Sequence, residues 1–161
     1  MESPLNVVTR PFQSTDLSEI VKINRRCLPE NYPESFFLYV YSSFPAGFRL
    51  ADVDGKIIAY LMSRIEVGTS VFSKFRRVKK GHVISIAVLP EYQRRGIAKR
   101  LLNEVFEKMA VAGATEVFLE VRVSNYPAIA LYEKLGLEKA KVLKKYYCDD
   151  ESAYLMARKF S

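Results

Sequence analysis

The stretch from Gly81 to Met109, GHVISIAVLPEYQRRGIAKRLLNEVFEKM, constrains this chain more than any other. Val83 to Val88 carry no charge in either alternation phase, which predicts a strand covered on both faces in the middle of a sheet. Ala98, Leu101, Leu102, Val105, Phe106 and Met109 then fall on one stripe of a helix. Between the two lies a basic turn, Gln93 to Ala98, that feeds unpaired backbone N–H groups into the helix start. Those amides and the positive helix end form an anion site, Gly96 lets a phosphate come close to the backbone, and Arg94, Arg95 and Lys99 add charge. Such a site suits a pyrophosphate.

The length of 161 residues predicts one domain, Met1 to Ser161. A composition of 49% hydrophobic and 27% charged residues is that of a soluble globular protein. The formal net charge of +7 points to anionic partners, for which a phosphate-bearing ligand, ribosomal RNA and a membrane surface all qualify. Ile57 to Met62 and Ile84 to Leu89 are too short to span a bilayer, and no signal-peptide pattern opens the chain, so a cytoplasmic location is expected. Cys27 and Cys148, without C-x-x-C spacing, read as free thiols.

In order, Asn6 to Arg10 predicts a strand, and Leu17, Ile20, Val21, Cys27 and Leu28 a helix capped by Ser14 or Thr15 and stopped by Pro29. Pro29 and Pro33 hold Glu30-Asn31-Tyr32 extended before a second helix, Glu34 to Ser43. Phe48 to Val53 and Lys56 to Glu66 form a hairpin around Asp54-Gly55 and read as scaffold. From Val67 to Gly81 periodicity is lost, and Lys74, Arg76, Arg77, Lys79 and Lys80 suggest a solvated loop or an RNA-docking surface. Val117 to Val123 is a strand, Pro127 to Gly136 brackets a short helix, and Glu138 to Tyr147 with Ala153 to Lys159 form a closing hairpin. The class is α/β with a mixed sheet.

Glu120 is an acid within an apolar strand, where an unpaired carboxylate is costly, so it needs a partner or a task. A salt bridge, to Arg64 or to groups near Arg122, is one reading and a general base the other. His82, the only histidine, opens the central strand.

Gln93-x-x-Gly96-x-Ala98 is similar to the Q/R-x-x-G-x-G/A signature of GNAT-type N-acetyltransferases. Leu28-Pro29-Glu30-Asn31-Tyr32, Leu119 to Asn125 with Ala130-Leu131-Tyr132, and Lys145-Tyr146-Tyr147 before Ala153-Tyr154 extend the likeness. Over nearly its whole length the chain resembles N-terminal protein acetyltransferases of the archaeal type related to NatA catalytic subunits. The resemblance implies the GNAT fold, a mixed sheet of about seven strands flanked by about four helices. It implies acetyl-CoA as cosubstrate with no required metal. The implied reaction is acetyl transfer to the α-amino group of Ser-, Ala- or Met-starting protein N-termini, by direct attack in a ternary complex.

By the same resemblance, the backbone of Ile86, Ala87 and Val88 pairs with the pantetheine arm, while Arg94, Arg95, Gly96, Ile97, Ala98 and Lys99 hold the phosphates. Asn125 and Tyr132 also contact the cofactor, Tyr132 as general acid toward its sulfur. Glu120 serves as base with His82, acting together through a water, although many eukaryotic relatives carry histidine at the position of Glu120. The same two residues could hold an adventitious metal ion. Glu30 and Tyr32, with Tyr146 and Tyr147, close over the acceptor. Expected partners are nascent or mature protein N-termini, with the ribosome or an auxiliary subunit as further candidates, and neither DNA nor membrane. Rival readings are a lysine or ribosomal-protein acetyltransferase and a non-catalytic basic module that docks RNA through Lys74 to Lys80. An α-amine, with pKa about 7.7–8.0 against about 10.4 for lysine, needs only modest help to become a free nucleophile.

Overall fold

The sheet is built outward from the strand of the opening motif. In the computed structural model, which describes residues 4–160, the elements are β1 (Val7–Pro11), α1 (Leu17–Cys27), α2 (Glu34–Ser43), β2 (Phe48–Val53), β3 (Lys56–Thr69), β4 (Arg77–Val88), α3 (Ile97–Val111), β5 (Glu116–Arg122), α4 (Tyr126–Lys134), β6 (Glu138–Leu143) and β7 (Ala153–Lys159). The expected domain ends, Met1 and Ser161, lie outside the described residues. The seven strands run in the order β1-β2-β3-β4-β5-β7-β6. β4 and β5 are parallel, whereas β1·β2, β2·β3, β5·β7 and β6·β7 are antiparallel, so the sheet is mixed as the sequence predicts.

Residue contacts divide the chain into two compact units. The first runs to Arg64 and includes Ile84–Lys108; the second holds Ile65–Val83 and the chain from Met109 onward. β3, β4 and α3 pass from one to the other.

The first unit buries Phe12, Ile20, Phe37, Phe48, Leu50 and Leu61 with the α3 stripe Leu101, Leu102 and Val105. A polar chain crosses this core. Asn24 Nδ2 donates to Tyr60 Oη at 3.1 Å and to the carbonyl of Glu30 at 3.1 Å, and Tyr60 Oη lies 2.7 Å from Ser85 Oγ. All three side chains are buried, and burial pushes the Tyr60 hydroxyl up to about 12. The entry to α1 differs from the Ser14 or Thr15 cap. Ser14–Asp16 forms a 3-10 turn, and the Asp16 carboxylate accepts the Gln13 N–H at 2.8 Å and two Arg10 guanidinium bonds at 2.8 Å.

In the second unit β5 buries Val117, Phe118, Leu119 and Val121, and pairs along its length with β7. α3 ends where expected, with Gly113 N–H donating to the Ala110 carbonyl and Ala114 N–H to that of Met109, both at 3.0 Å. The largest departure from the sequence reading is at 67–81. β3 continues to Thr69 and β4 begins at Arg77, so Arg77, Lys79 and Lys80 stand on a strand and only the residues between form a loop. Backbone pairing of Ser70 with Arg76 and the buried Glu116 carboxylate, which accepts from Ser70 Oγ at 2.7 Å and Val71 N at 2.6 Å, hold a hairpin that hydrophobic periodicity does not reveal. β4 also departs from the two-sided covering: Val83, Ser85 and Ala87 are buried, while His82, Ile84, Ile86 and Val88 are half-buried.

The Arg10 guanidinium beside Asp16 holds its carboxyl below the ordinary value of 3.8. A depressed carboxylate contributes stability above its unfolded value and loses it as the pH falls through the folded one. Asp16→Asn is therefore expected to cost about 1.5–3 kcal/mol at pH 7, with the gap to the parent closing as unfolding is repeated below pH 3.8.

Candidate active site

At the end of β4 the chain turns through Pro90–Tyr92 into Gln93, whose side-chain amide donates to the Val88 carbonyl at 3.0 Å. Arg94 and Gly96 both have left-handed backbone, at φ 62° and 77°. A non-glycine residue held there costs of order 1–3 kcal/mol and favours a functional reading of the turn. α3 starts at Ile97, so the open N–H end predicted for Gln93 to Ala98 is formed. A Cβ on Gly96 would meet nothing within 4 Å, leaving backbone accessible to an incoming group. Arg94, Arg95 and Lys99 are exposed around it, Ile97 is buried beneath and Ala98 half-buried. Ile86 and Val88 expose part of their side chains on β4, and Ala87 points into the core.

In this first unit the Glu30–Tyr32 segment is tied down by its neighbours. Asn24 holds the Glu30 carbonyl, Asn31 Nδ2 donates to the Leu28 carbonyl at 2.9 Å, and the Tyr32 ring stacks on Phe36 at 4.8 Å. Cys27, half-buried, is a free thiol pushed up by burial, and Cys148 is free and exposed.

The second unit brings His82 and Glu120 into direct contact. His82 Nε2 lies 2.8 Å from Glu120 Oε2, and His82 Nδ1 lies 2.6 Å from Glu66 Oε2. Parallel register sets His82 opposite Phe118, on which its ring stacks at 4.1 Å and 17°; Glu120 follows two residues later on the same face of β5. His82 and Glu120 side chains are only 12% and 16% exposed, against 30% for Glu66. The contact that the structure shows for Glu120 is this direct one with His82, in place of the salt bridges foreseen for it. Both ring nitrogens of His82 face carboxylates, and among the described residues no group of three or more His, Cys, Asp or Glu is placed to hold a metal ion.

Tyr146 belongs to this cluster: burial, and then the charge of Glu120, push its hydroxyl up. Its ring meets Tyr147 edge-on at 5.0 Å, and Arg122 lies over the Tyr147 ring at 4.1 Å. Arg122 also bonds Asp149 at 2.8 Å and Glu151 at 2.9 Å, while Glu151 accepts the Ser124 N–H at 3.1 Å, so one guanidinium organises the turn that carries both tyrosines. On α4, Tyr132 is buried, and burial pushes its hydroxyl up to about 12. Asn125 caps that helix, Oδ1 accepting from Ala128 N at 3.3 Å.

A family model described as acetyltransferase (GNAT) family matches residues 17–137. The chain belongs to the GNAT acetyltransferase family. The N-alpha-acetyltransferase of Saccharolobus solfataricus is 54% identical over 151 residues, covering 92% of this chain and 90% of that protein. The N-terminal acetyltransferase A complex catalytic subunit ard1 of Schizosaccharomyces pombe is 34% identical over 155 residues, 94% of this chain and 85% of its own. Among solved structures, Chaetomium thermophilum Naa20 in complex with a bisubstrate analogue superposes with a TM-score of 0.85 at 32% identity, covering 95% of this chain and 86% of that one.

For this GNAT acetyltransferase the sequence reading missed Glu66 and Arg122. In the sequence Glu66 closes an apparent scaffold strand, and only the continuation of β3 to Thr69 beside β4 brings it to His82. Arg122 and Glu151 are of opposite charge on either side of the closing hairpin, a signal that becomes useful once that hairpin is placed. Gly96→Glu, putting a carboxylate into the open turn of α3, is expected to weaken acetyl-CoA binding at least tenfold in calorimetry with the melting temperature little changed; undiminished affinity would remove the turn as the phosphate site.

Proposed function

We propose that the enzyme transfers the acetyl group of acetyl-CoA to the α-amino group of protein N-termini, as a single domain acting in the cytoplasm. The observation that carries the reading is the direct contact of His82 with Glu120 beside Tyr146, together with relatives named N-alpha-acetyltransferase. Acetyl-CoA supplies the acetyl group as an activated thioester when bound. The open N–H end of α3 with Arg94, Arg95, Gly96, Ile97, Ala98 and Lys99 would hold its phosphates, and the backbone of Ile86, Ala87 and Val88 its amide-bearing arm.

Glu120 and His82 take the proton of the acceptor ammonium. An α-amine near pKa 8 asks little of them, whereas a lysine costs roughly 3–4 kcal/mol more to neutralise. Tyr132, with its hydroxyl pushed up to about 12, keeps its proton and offers it as a hydrogen bond to the departing sulfur. Asn125 sets the start of the helix that carries it. Glu30 and Tyr32 contact the first acceptor residues, and Tyr146 and Tyr147 its backbone. His82 and Glu120 act as a proton-handling pair rather than as metal ligands.

Docking on RNA is a second property favoured by one observation. Phe75 is 97% exposed at the tip of the hairpin, between Lys74, Arg76 and Arg77, a combination suited to stacking and phosphate contacts on single-stranded RNA such as that of the ribosome. An auxiliary subunit is the other partner the reading admits, since NatB and NatC occur as complexes in structures of similar fold.

The test is transfer from labelled acetyl-CoA to peptides beginning Ser, Ala, Met-Glu and Met-Leu, each with free and blocked α-amines. Transfer to free termini only is expected; equal transfer to blocked peptides would make this a lysine acetyltransferase. Tyr132→Phe is expected to lower kcat roughly a hundredfold with acetyl-CoA affinity unchanged, and full activity would remove its role at the sulfur.

A further inference from the structure

We propose that Glu66 is a positioning residue of this acetyltransferase: through His82 Nδ1 it fixes the tautomer and plane of the imidazole, so that the contact between Nε2 and Glu120 becomes the seat of the transferred proton. The proposal rests on the acetyl-transfer reading above. It starts from the way the ring is held. Phe118 takes one face at 4.1 Å, Glu120 takes Nε2 at 2.8 Å, and the remaining polar atom, Nδ1, is held by Glu66 at 2.6 Å. Phe118 and Glu120 both belong to β5, whereas Glu66 lies on β3, so its contribution can be removed without touching the others.

Hydrogen-bond chemistry then decides which nitrogen does what. An ionised carboxylate only accepts, and a neutral imidazole has a single N–H. If that N–H is committed to Glu66, Nε2 presents its lone pair to Glu120 Oε2, and the 2.8 Å contact becomes a hydrogen bond only when a further proton enters it. The acceptor ammonium supplies that proton. Its N–H bond breaks, the electron pair stays on nitrogen and forms the bond to the acetyl carbon, and the proton comes to rest between Glu120 and Nε2. As the C–S bond breaks, the nitrogen gives up a second proton and becomes the amide; one of the two protons goes to the thiolate, the other leaves to solvent, and the starting state returns. Without Glu66 the ring can place its N–H on Nε2 instead, filling the contact with its own proton and leaving no seat for the incoming one. The carboxylate of Glu66 also faces the positive charge that the ring acquires, as the acid of a Ser-His-Asp triad does.

His82 is the only histidine in the chain, so its ring nitrogens are read without assignment in a long-range proton–nitrogen NMR spectrum of the labelled, full-length protein. The parent is expected to show Nδ1 at a protonated position. Glu66→Ala is expected to move both ring signals toward an averaged tautomer and to lower kcat at least about tenfold, with the KM for acetyl-CoA within twofold of the parent. Glu66→Gln retains an accepting oxygen without the charge; it is expected to restore the ring signals and only part of the rate. Identical ring signals in the parent and Glu66→Ala, or a kcat within twofold, would overturn the proposal. If Glu66→Ala does not fold, Glu66→Gln decides alone: a parental kcat overturns it, and a lowered kcat at unchanged KM supports it. A parent protein that acetylates no peptide would overturn both the functional reading and the role of Glu66 in it, a failure distinguished by the ring spectrum, which does not depend on turnover.

Discussion

An imidazole flanked by two carboxylates can satisfy both only when a proton is shared beyond the one it ordinarily carries. His82 lies between Glu66 and Glu120, with Phe118 against its face. Much of the second unit serves this arrangement. The β4·β5 register sets the histidine beside Phe118, β7 pairs along the other edge of β5 and holds Glu120 in place, and the buried Glu116 ties down the hairpin that brings β3 past His82. Arg122, one strand position beyond Val121, fixes the turn that places Tyr146 within reach of the charge of Glu120.

The first unit solves a different problem, that of presenting backbone rather than side chains. Open N–H groups at the start of α3 must stay put without a ligand, and they do so because β4 is anchored behind them: Leu89 N–H donates to the Ile58 carbonyl at 2.9 Å, and Gln93 reaches back to Val88. The buried chain of Asn24, Tyr60 and Ser85 performs two tasks. It joins α1 to β3 and β4, and through the Glu30 carbonyl it sets the proline-bounded loop that carries Glu30 and Tyr32. Polar groups buried at this depth define one arrangement, because every other leaves a donor or acceptor without a partner.

The parts legible in the sequence are those with a local signature. The stripe of α3, the Asp54-Gly55 turn, the end of α3 at Gly113 and the basic turn at Gly96 depend on residues a few positions apart, and each is found as expected. So is Glu120, whose oddness within an apolar strand marks it as needing a partner. The extension of β3 and β4 was illegible because long-range ladder bonds and Glu116 stabilise it, with exposed lysines and arginines standing where an apolar alternation would have announced a strand. Glu66 was illegible for the same reason. Its meaning lies in a neighbour sixteen residues away, which a strand ended at Glu66, three residues short of Thr69, does not reveal.

The account places proton transfer at the His82–Glu120 pair, and its most direct test is a crystal structure of the full chain with an analogue that joins coenzyme A to an acceptor peptide through the α-nitrogen. The account predicts that this nitrogen lies within about 3.2 Å of Glu120 or His82, or one water away, with Glu66 still on Nδ1. A nitrogen bound with neither group nor a shared water in reach would contradict it.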